Sequence, residues 1–332
     1  MPATTTLAGK EIGRVGLGLM MLTWGGDLPT DEESFTAIRT AVDNGSNYLN
    51  SATFYGHPEN HEAGLQLLNR FFTAYPEYAD RVILGVKGGI FYEKRMPSGE
   101  LEFLRSDLKR AYEHLGDKKK IDIFEMARVP NDLPIEETIK NLVILKEEGY
   151  FNHIGLSEAT ADTLSRAHAV YPIACVEIEL SLFYLEPSVL ETTTLAEKLG
   201  VAIIAYSPLG RGFFSGKYRS IDDFPEGDIR KVYPRFQGDN FKKNLELVDK
   251  VAELAKKKGS STSQLALAYI MHISPVVVPI PGSSNPKRII ENIEAANIEL
   301  TDEDVKQIDE ILKTFVTAGD RYPDYAKSFL MK

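Results

Sequence analysis

Tyr55 and Lys87 are the residues of this sequence whose types and setting point most directly to chemistry. Tyr55 lies in Asn47-Tyr48-Leu49-Asn50-Ser51-Ala52-Thr53-Phe54-Tyr55-Gly56. Lys87 lies about one strand-and-helix unit later, in Ile83-Leu84-Gly85-Val86-Lys87-Gly88-Gly89. Each comes at the end of a short apolar run of strand type. A phenol beside a protonated amine can donate a proton at neutral pH, because the neighbouring cation lowers the ordinary tyrosine pKa of about 10. That pairing suits reduction of a carbonyl, with the phenol supplying the proton that the developing alkoxide takes up.

Such a pair needs a frame to hold it. Short apolar, β-branched runs recur at 15–19, 47–49, 82–86, 121–124, 153–156, 174–178, 201–205 and 276–280, each of strand length and composition. Helical patterns lie between them at 31–42, 101–115, 135–148, 159–169, 187–199, 245–258 and 262–271. Strict alternation of this kind predicts an α/β fold, a parallel (β/α)8 TIM barrel, occupying residues 1–332 as a single domain. A doubly wound sheet would want a Gly-x-Gly-x-x-Gly turn after its first strand, and Gly13, Gly16 and Gly18 are spaced wrongly for it. Two stretches fall outside the alternation. One is a long loop at about 207–244, rich in glycine and proline; the other is a C-terminal loop at about 315–332.

Barrel chemistry collects at the carboxyl ends of the strands. Asn50, Tyr55, Lys87, Ala127, Arg128, Ser157, Glu177 and Tyr206 all follow the strand candidates closely. After the last strand, Ile280-Pro281-Gly282-Ser283-Ser284-Asn285-Pro286-Lys287-Arg288 runs into a helix, with Asn285 placed as N-cap and Pro286 as first helical residue. Lys287 and Arg288 then stand in the first turn, where the helix dipole disfavours each cation by ~0.3–1 kcal/mol. A bound phosphate removes that conflict. Backbone N–H groups at the helix start, the Ser283 hydroxyl and the Arg288 guanidinium together suit a dianion.

The remaining composition narrows the partners. With 48 acidic against 38 basic residues, the net charge is -10, which disfavours nucleic acid or an anionic membrane as partner. Met1-Pro2-Ala3-Thr4-Thr5-Thr6 carries no signal-peptide pattern, and no apolar run approaches the ~20 residues of a membrane span, so a soluble cytoplasmic protein is expected. Cys175, the single cysteine, reads as a buried structural thiol. His57 and His61 are separated by Pro58, which breaks the helical spacing of a metal pair, and no metal is expected. Lys118-Lys119-Lys120 reads as a solvated turn. Nothing in the sequence sets an oligomeric state.

Taken together, these motifs resemble the aldo-keto reductase superfamily over nearly the whole chain. Val15-Gly16-Leu17-Gly18-Leu19-Met20 is similar to its first strand, Tyr206-Ser207-Pro208-Leu209-Gly210-Arg211-Gly212 to its seventh-strand motif, and 280–292 to its cofactor segment. The resemblance implies NADPH as cofactor. Ser283, Arg288, Glu291 and Asn292 would face the adenosine 2′-phosphate and adenine. Ser157 would meet the nicotinamide amide, Glu177 would accept from that amide or pair with Lys87, and Tyr206 would stack on the ring. Gly18, Ser207, Leu209, Arg211 and Gly282 would line the rest of the site. Of the superfamily's tetrad, Tyr55 and Lys87 match, while Asn50 replaces the aspartate and Ala127 the histidine.

Those two replacements, with 121–128, Glu177-Ile178-Glu179-Leu180-Ser181-Leu182-Phe183, Pro225-Glu226-Gly227-Asp228 and Gly319-Asp320-Arg321-Tyr322, resemble the fungal pyridoxal reductases. The implied activity is NADPH-dependent reduction of pyridoxal to pyridoxine, with Tyr55, Lys87 and Asn50 in catalysis. Trp24, Phe54, Arg128, Phe236 and Tyr322 are candidate substrate contacts. Two alternatives stand beside it: an aldehyde reductase of broader scope, and a cofactor-binding regulatory subunit with little turnover. Without the aspartate, the charge of Lys87 is expected to be less neutralised.

Overall fold

The computed structural model describes residues 3–91, 96–327 and 330–331. Eight parallel strands follow one another around a single sheet: β1 (Leu17–Gly18), β2 (Tyr48–Ala52), β3 (Ile83–Gly88), β4 (Ile121–Met126), β5 (Phe151–Ser157), β6 (Ile173–Glu179), β7 (Ala202–Tyr206) and β8 (Val277–Pro279). The Gly16 N–H donates to the Pro279 carbonyl at 2.9 Å, joining the first and last strands and closing the barrel. At this seam a Cβ on Gly18 would lie 2.8 Å from the Ile280 carbonyl oxygen. Glycine is therefore what lets the two backbones approach.

Around the barrel lie α1 (Asp31–Asp43), α2 (Ala63–Ala74), α3 (Leu101–Leu115), α4 (Ile135–Glu147), α5 (Ala161–Val170), α6 (Pro187–Leu199), α7 (Gly238–Lys258), α8 (Thr262–Ile273), α9 (Pro286–Glu294) and α10 (Asp302–Thr314). Their starts carry the expected chemistry. Thr30 with Glu33 opens α1 and Ser261 with Gln264 opens α8 as capping boxes, and Asn285 caps α9. No helix among the described residues is long and apolar enough to cross a membrane.

The period-2 alternation of the strands separates two cores. Leu49, Leu84, Val86, Phe124, Ile154, Val176 and Ile203 face the helices and are buried there. Tyr48, Ile83, Ile123, Cys175, Ile204 and Val278 point inward and fill the lower barrel. A hairpin, Thr4–Leu7 paired with Lys10–Gly13, plugs the bottom with Leu7 and Ile12.

Two expectations needed adjustment. The loop after β7 is shorter than 207–244, because α7 starts at Gly238; its first turns carry Asp239, Lys242 and Lys243, which hide the helical period. Lys119 is not solvated: it is 8% exposed, and its ammonium donates to the Ala79 and Val82 carbonyls and pairs with Asp122 at 2.8 Å. Of the C-terminal loop, residues 328–329 and 332 lie outside the described residues.

Candidate active site

Above the apolar layer, the same inward-facing registers carry polar side chains. On β2, Asn50 follows Tyr48 by two residues; on β3, Lys87 follows Gly85; on β4, Glu125 follows Ile123; on β6, Glu177 follows Cys175. Alternation thus aims all four into the barrel lumen. Strand pairing sets Lys87 level with Glu125, and Asn50 level with Gly85.

The four form one buried network. Lys87 Nζ donates to Asn50 Oδ1 at 2.6 Å and to Glu177 Oε2 at 2.9 Å, and Asn50 Nδ2 donates to the same Glu177 oxygen at 2.7 Å. Lys87 and Glu177 are each 3% exposed. This corrects the expectation that replacing the aspartate leaves Lys87 poorly neutralised: the carboxylate has moved from β2 to β6, and Asn50 bridges the two groups. Burial pushes the Lys87 pKa down, but Glu177, Tyr55 and Glu125 outweigh it and leave the ammonium pKa above its ordinary value.

Tyr55 stands just beyond β2, its ring centroid 5.0 Å from Lys87 Nζ. The phenol is 8% exposed. Burial raises its pKa more than Lys87 lowers it. The net direction is therefore upward, opposite to the sequence expectation, because desolvation of the phenolate exceeds the lysine's pull. A phenol in this setting is fully protonated at neutral pH. Trp24 and Phe54 flank it, with centroids 6.2 and 5.6 Å away.

Beyond the ends of β5, β6 and β7 lies a second cluster. Tyr206 donates to Glu158 Oε1 at 2.9 Å and stands 3.1 Å from the Tyr322 hydroxyl. Arg321, from the C-terminal segment, ion-pairs with Glu158 and reaches Glu179, which also accepts from Arg235 at 2.9 Å. Arg128 faces this cluster: burial lowers its pKa, and Tyr206, Tyr322, Glu158 and Glu177 more than compensate. It lies two residues past the end of β4. Phe236 departs from its expected place, being 2% exposed and packed against Phe213 and Phe224 as core rather than as a wall.

Several features of this end fit a dinucleotide. Ser157 Oγ and Arg211 Nη2 are buried polar atoms without a partner among the described residues, and such atoms are costly unless a ligand satisfies them. Glu158, Ser207 and Arg211 all have positive φ, at 55°, 49° and 56°. Strained backbone of this kind is a feature that clusters at binding sites. Leu209 is half-buried beside them. At the start of α9, Ser283 is half-buried and Arg288 exposed, while the Lys287 and Arg288 N–H groups are held by Asn285 Oδ1. Gly282 lies against Gly18, whose carbonyl oxygen would be 3.0 Å from a Cβ there. Glu291 accepts from the Ser261 hydroxyl, and Asn292 is 6% exposed.

Glu125, Glu158, Glu179 and Arg321 were not singled out from the sequence. A signal existed for Glu125: a lone carboxylate on the inward register of an apolar strand. Arg321 lies 163 residues from Glu158, and no local pattern pairs them.

The chain is 36% identical to a probable pyridoxal reductase 2 of Schizosaccharomyces pombe, covering 97% of this chain and 98% of that protein. It is 35% identical to an aldo-keto reductase of the same organism, yakc, named for NADP(+), covering 98% and 96%. A probable aldo-keto reductase 1 of Glycine max is 35% identical over 97% of this chain and 91% of its own length. Among solved structures, the glycerol dehydrogenase of Gluconobacter oxydans superposes with a TM-score of 0.81 at 25% identity, over 96% of this chain and 97% of that one. The aldo/keto reductase family model matches residues 14–313. With a closed eight-stranded barrel and a phenol–ammonium pair at its mouth, the chain belongs to the aldo/keto reductase family.

Proposed function

We propose that this protein reduces pyridoxal to pyridoxine with NADPH, and that Tyr55 is the proton donor. The observation that carries the reading is the Tyr55 ring set 5.0 Å from an ammonium that Glu177 and Asn50 anchor at the barrel mouth. Bound NADPH would supply the hydride. Tyr55 then gives its proton to the oxygen that becomes alkoxide, and Lys87 stabilises the phenolate left behind. Glu177 and Asn50 fix the lysine in place. The Arg288 side chain and Ser283 hydroxyl would hold a ribose phosphate, while Ser157 and Arg211 would engage their unpartnered atoms with the nearer parts of the cofactor.

Ala127 offers no donor to the carbonyl oxygen where the family's histidine would. Trp24 and Phe54 beside Tyr55, with Tyr322 and Arg128 by Tyr206, would offer aromatic faces and a cation suited to a flat, polar heteroaromatic aldehyde. The name of the fungal relative supports pyridoxal as that aldehyde. NADPH consumption should be measured with pyridoxal, pyridoxal phosphate and simple aromatic aldehydes. A clear preference in kcat/KM for pyridoxal is expected. Equal values across the panel would make this a general aldehyde reductase, and cofactor binding without turnover of any aldehyde would make it a regulatory binding protein.

A further inference from the structure

Glu125 is a carboxyl group sealed inside the barrel that the proposed reaction does not use. It is fully buried on β4, level with Lys87 on one side and Gly155 on the other. Two glycines make room for it. A Cβ at Gly85 would lie 2.8 Å from Glu125 Oε1 and 2.5 Å from the Tyr48 hydroxyl, and one at Gly155 would lie 2.6 Å from Glu125 Cγ. Oε1 accepts from the Tyr48 hydroxyl at 3.0 Å and from Asn50 Nδ2 at 3.5 Å. Oε2 is removed from water and has no donor among the described residues.

An ionised carboxylate with an orphaned oxygen is expensive to bury. Protonation resolves the problem, because it turns Oε2 into a donor, and the Glu177 carboxylate is its acceptor nearby: Asn50 Nδ2 contacts both acids, Glu125 Oε1 at 3.5 Å and Glu177 Oε2 at 2.7 Å. We propose that Glu125 is a buried acid that holds its proton at neutral pH, donates it as a hydrogen bond to Glu177, and so positions the Glu177 carboxylate against Lys87. This rests on reading Tyr55 and Lys87 as the reducing pair. Glu125 is a positioning residue, two groups removed from the phenol.

The groups facing Glu125 are Tyr48 and Asn50 on β2, Lys87 on β3, and Cys175 and Glu177 on β6. Lys87 is the one cation of the set and already serves Glu177. Burial, followed by the charge of Glu177, pushes the Glu125 carboxyl up to about 8. When it ionises, the network gains a second negative charge, which raises Tyr55 further. The phenolate left by proton donation becomes less stable, and reduction slows.

Glu125→Gln keeps the shape: its amide nitrogen donates where the acid did, and its oxygen still accepts from Tyr48. Two readouts are needed. The first is an infrared titration of the protein alone, with carboxyl-labelled glutamate, following the carbonyl stretch of protonated carboxyls. The second is kcat against pH for aldehyde reduction. The wild type should show a glutamic acid band that disappears around pH 8, absent from Glu125→Gln. Its kcat should fall up to about tenfold between pH 7 and 9, as for one ionisation, while the kcat of Glu125→Gln stays flat over that range. A wild type with no glutamic acid band above pH 6 overturns the proposal, even if the variant fails to fold. So does a band or pH profile unchanged in Glu125→Gln. If the wild type reduces no aldehyde, the functional reading fails, and the titration still decides the state of Glu125.

Discussion

Replacing Glu177 with glutamine should destabilise the protein by about 3 kcal/mol, near the lower end of what breaking a buried ion pair costs. The pair is 2.9 Å apart and each partner is 3% exposed. Two unit charges at that separation attract by roughly 6 kcal/mol at an effective dielectric of about 20, and desolvation of both groups offsets part of it. Glutamine keeps the acceptor oxygen but removes the charge, leaving the ammonium with Asn50 Oδ1 at 2.6 Å. Glu125 is the nearest remaining carboxyl and would ionise in response, which limits the loss. Urea denaturation at pH 7, followed by far-ultraviolet dichroism, should show a lower midpoint with an unchanged slope. Adding Glu125→Gln to Glu177→Gln should cost more than the sum of the two single changes, because no carboxylate is then left to face Lys87. A Glu177→Gln loss below about 1 kcal/mol, or strict additivity, would refute the assignment of Glu177 as the lysine's counter-ion.

Stability should also depend on pH through Glu125. Its pKa is raised from 4.5 to about 8 in the fold, so between those values the folded state holds more protons than the unfolded state. Stability from this group therefore declines as pH rises through that window. Urea midpoints at pH 5.5 and 8.5 should fall further for wild type than for Glu125→Gln; parallel changes would argue against a buried protonated acid. Gly85→Ala should cost roughly 1–3 kcal/mol by overpacking, since its methyl group would meet the Tyr48 hydroxyl and Glu125. Thermal unfolding checks this, and a neutral result would mean that the layer can repack. Arg288→Ala should weaken NADPH binding by about tenfold to a hundredfold, the worth of a charged hydrogen bond, and leave NADH nearly unchanged. Equal losses for both cofactors would remove the phosphate contact.

The barrel was legible because its strands are buried on both faces and therefore read as continuous apolar runs. Helix α2 was less so: Glu62 offers no side-chain cap, and Gly64 sits in the first turn. Tyr55, Lys87, Asn50 and Glu177 could be placed at strand ends from position alone. Lys87 stands as one of two partners for Glu177, beside the nicotinamide amide, and position alone could not decide between them, since Lys87 and Glu177 are 90 residues apart and meet only when β3 and β6 face each other across the lumen. The direction of the Tyr55 shift is hidden from the sequence for a related reason. A neighbouring lysine is visible in sequence, whereas the depth of burial that outweighs it is a property of the closed barrel. Phe236, a candidate wall by residue type, instead turns its ring into a cluster with Phe213 and Phe224.

The most direct test of the account is Tyr55→Phe, which removes one hydroxyl from the ring beside Lys87 and leaves the rest of the site in place. With pyridoxal and NADPH at pH 7, kcat should drop by about 10²–10⁴, the worth of a positioned general acid, while NADPH affinity measured by fluorescence titration stays within about threefold of wild type. Turnover of pyridoxal by Tyr55→Phe at the wild-type rate would contradict the claim that this phenol is the proton donor.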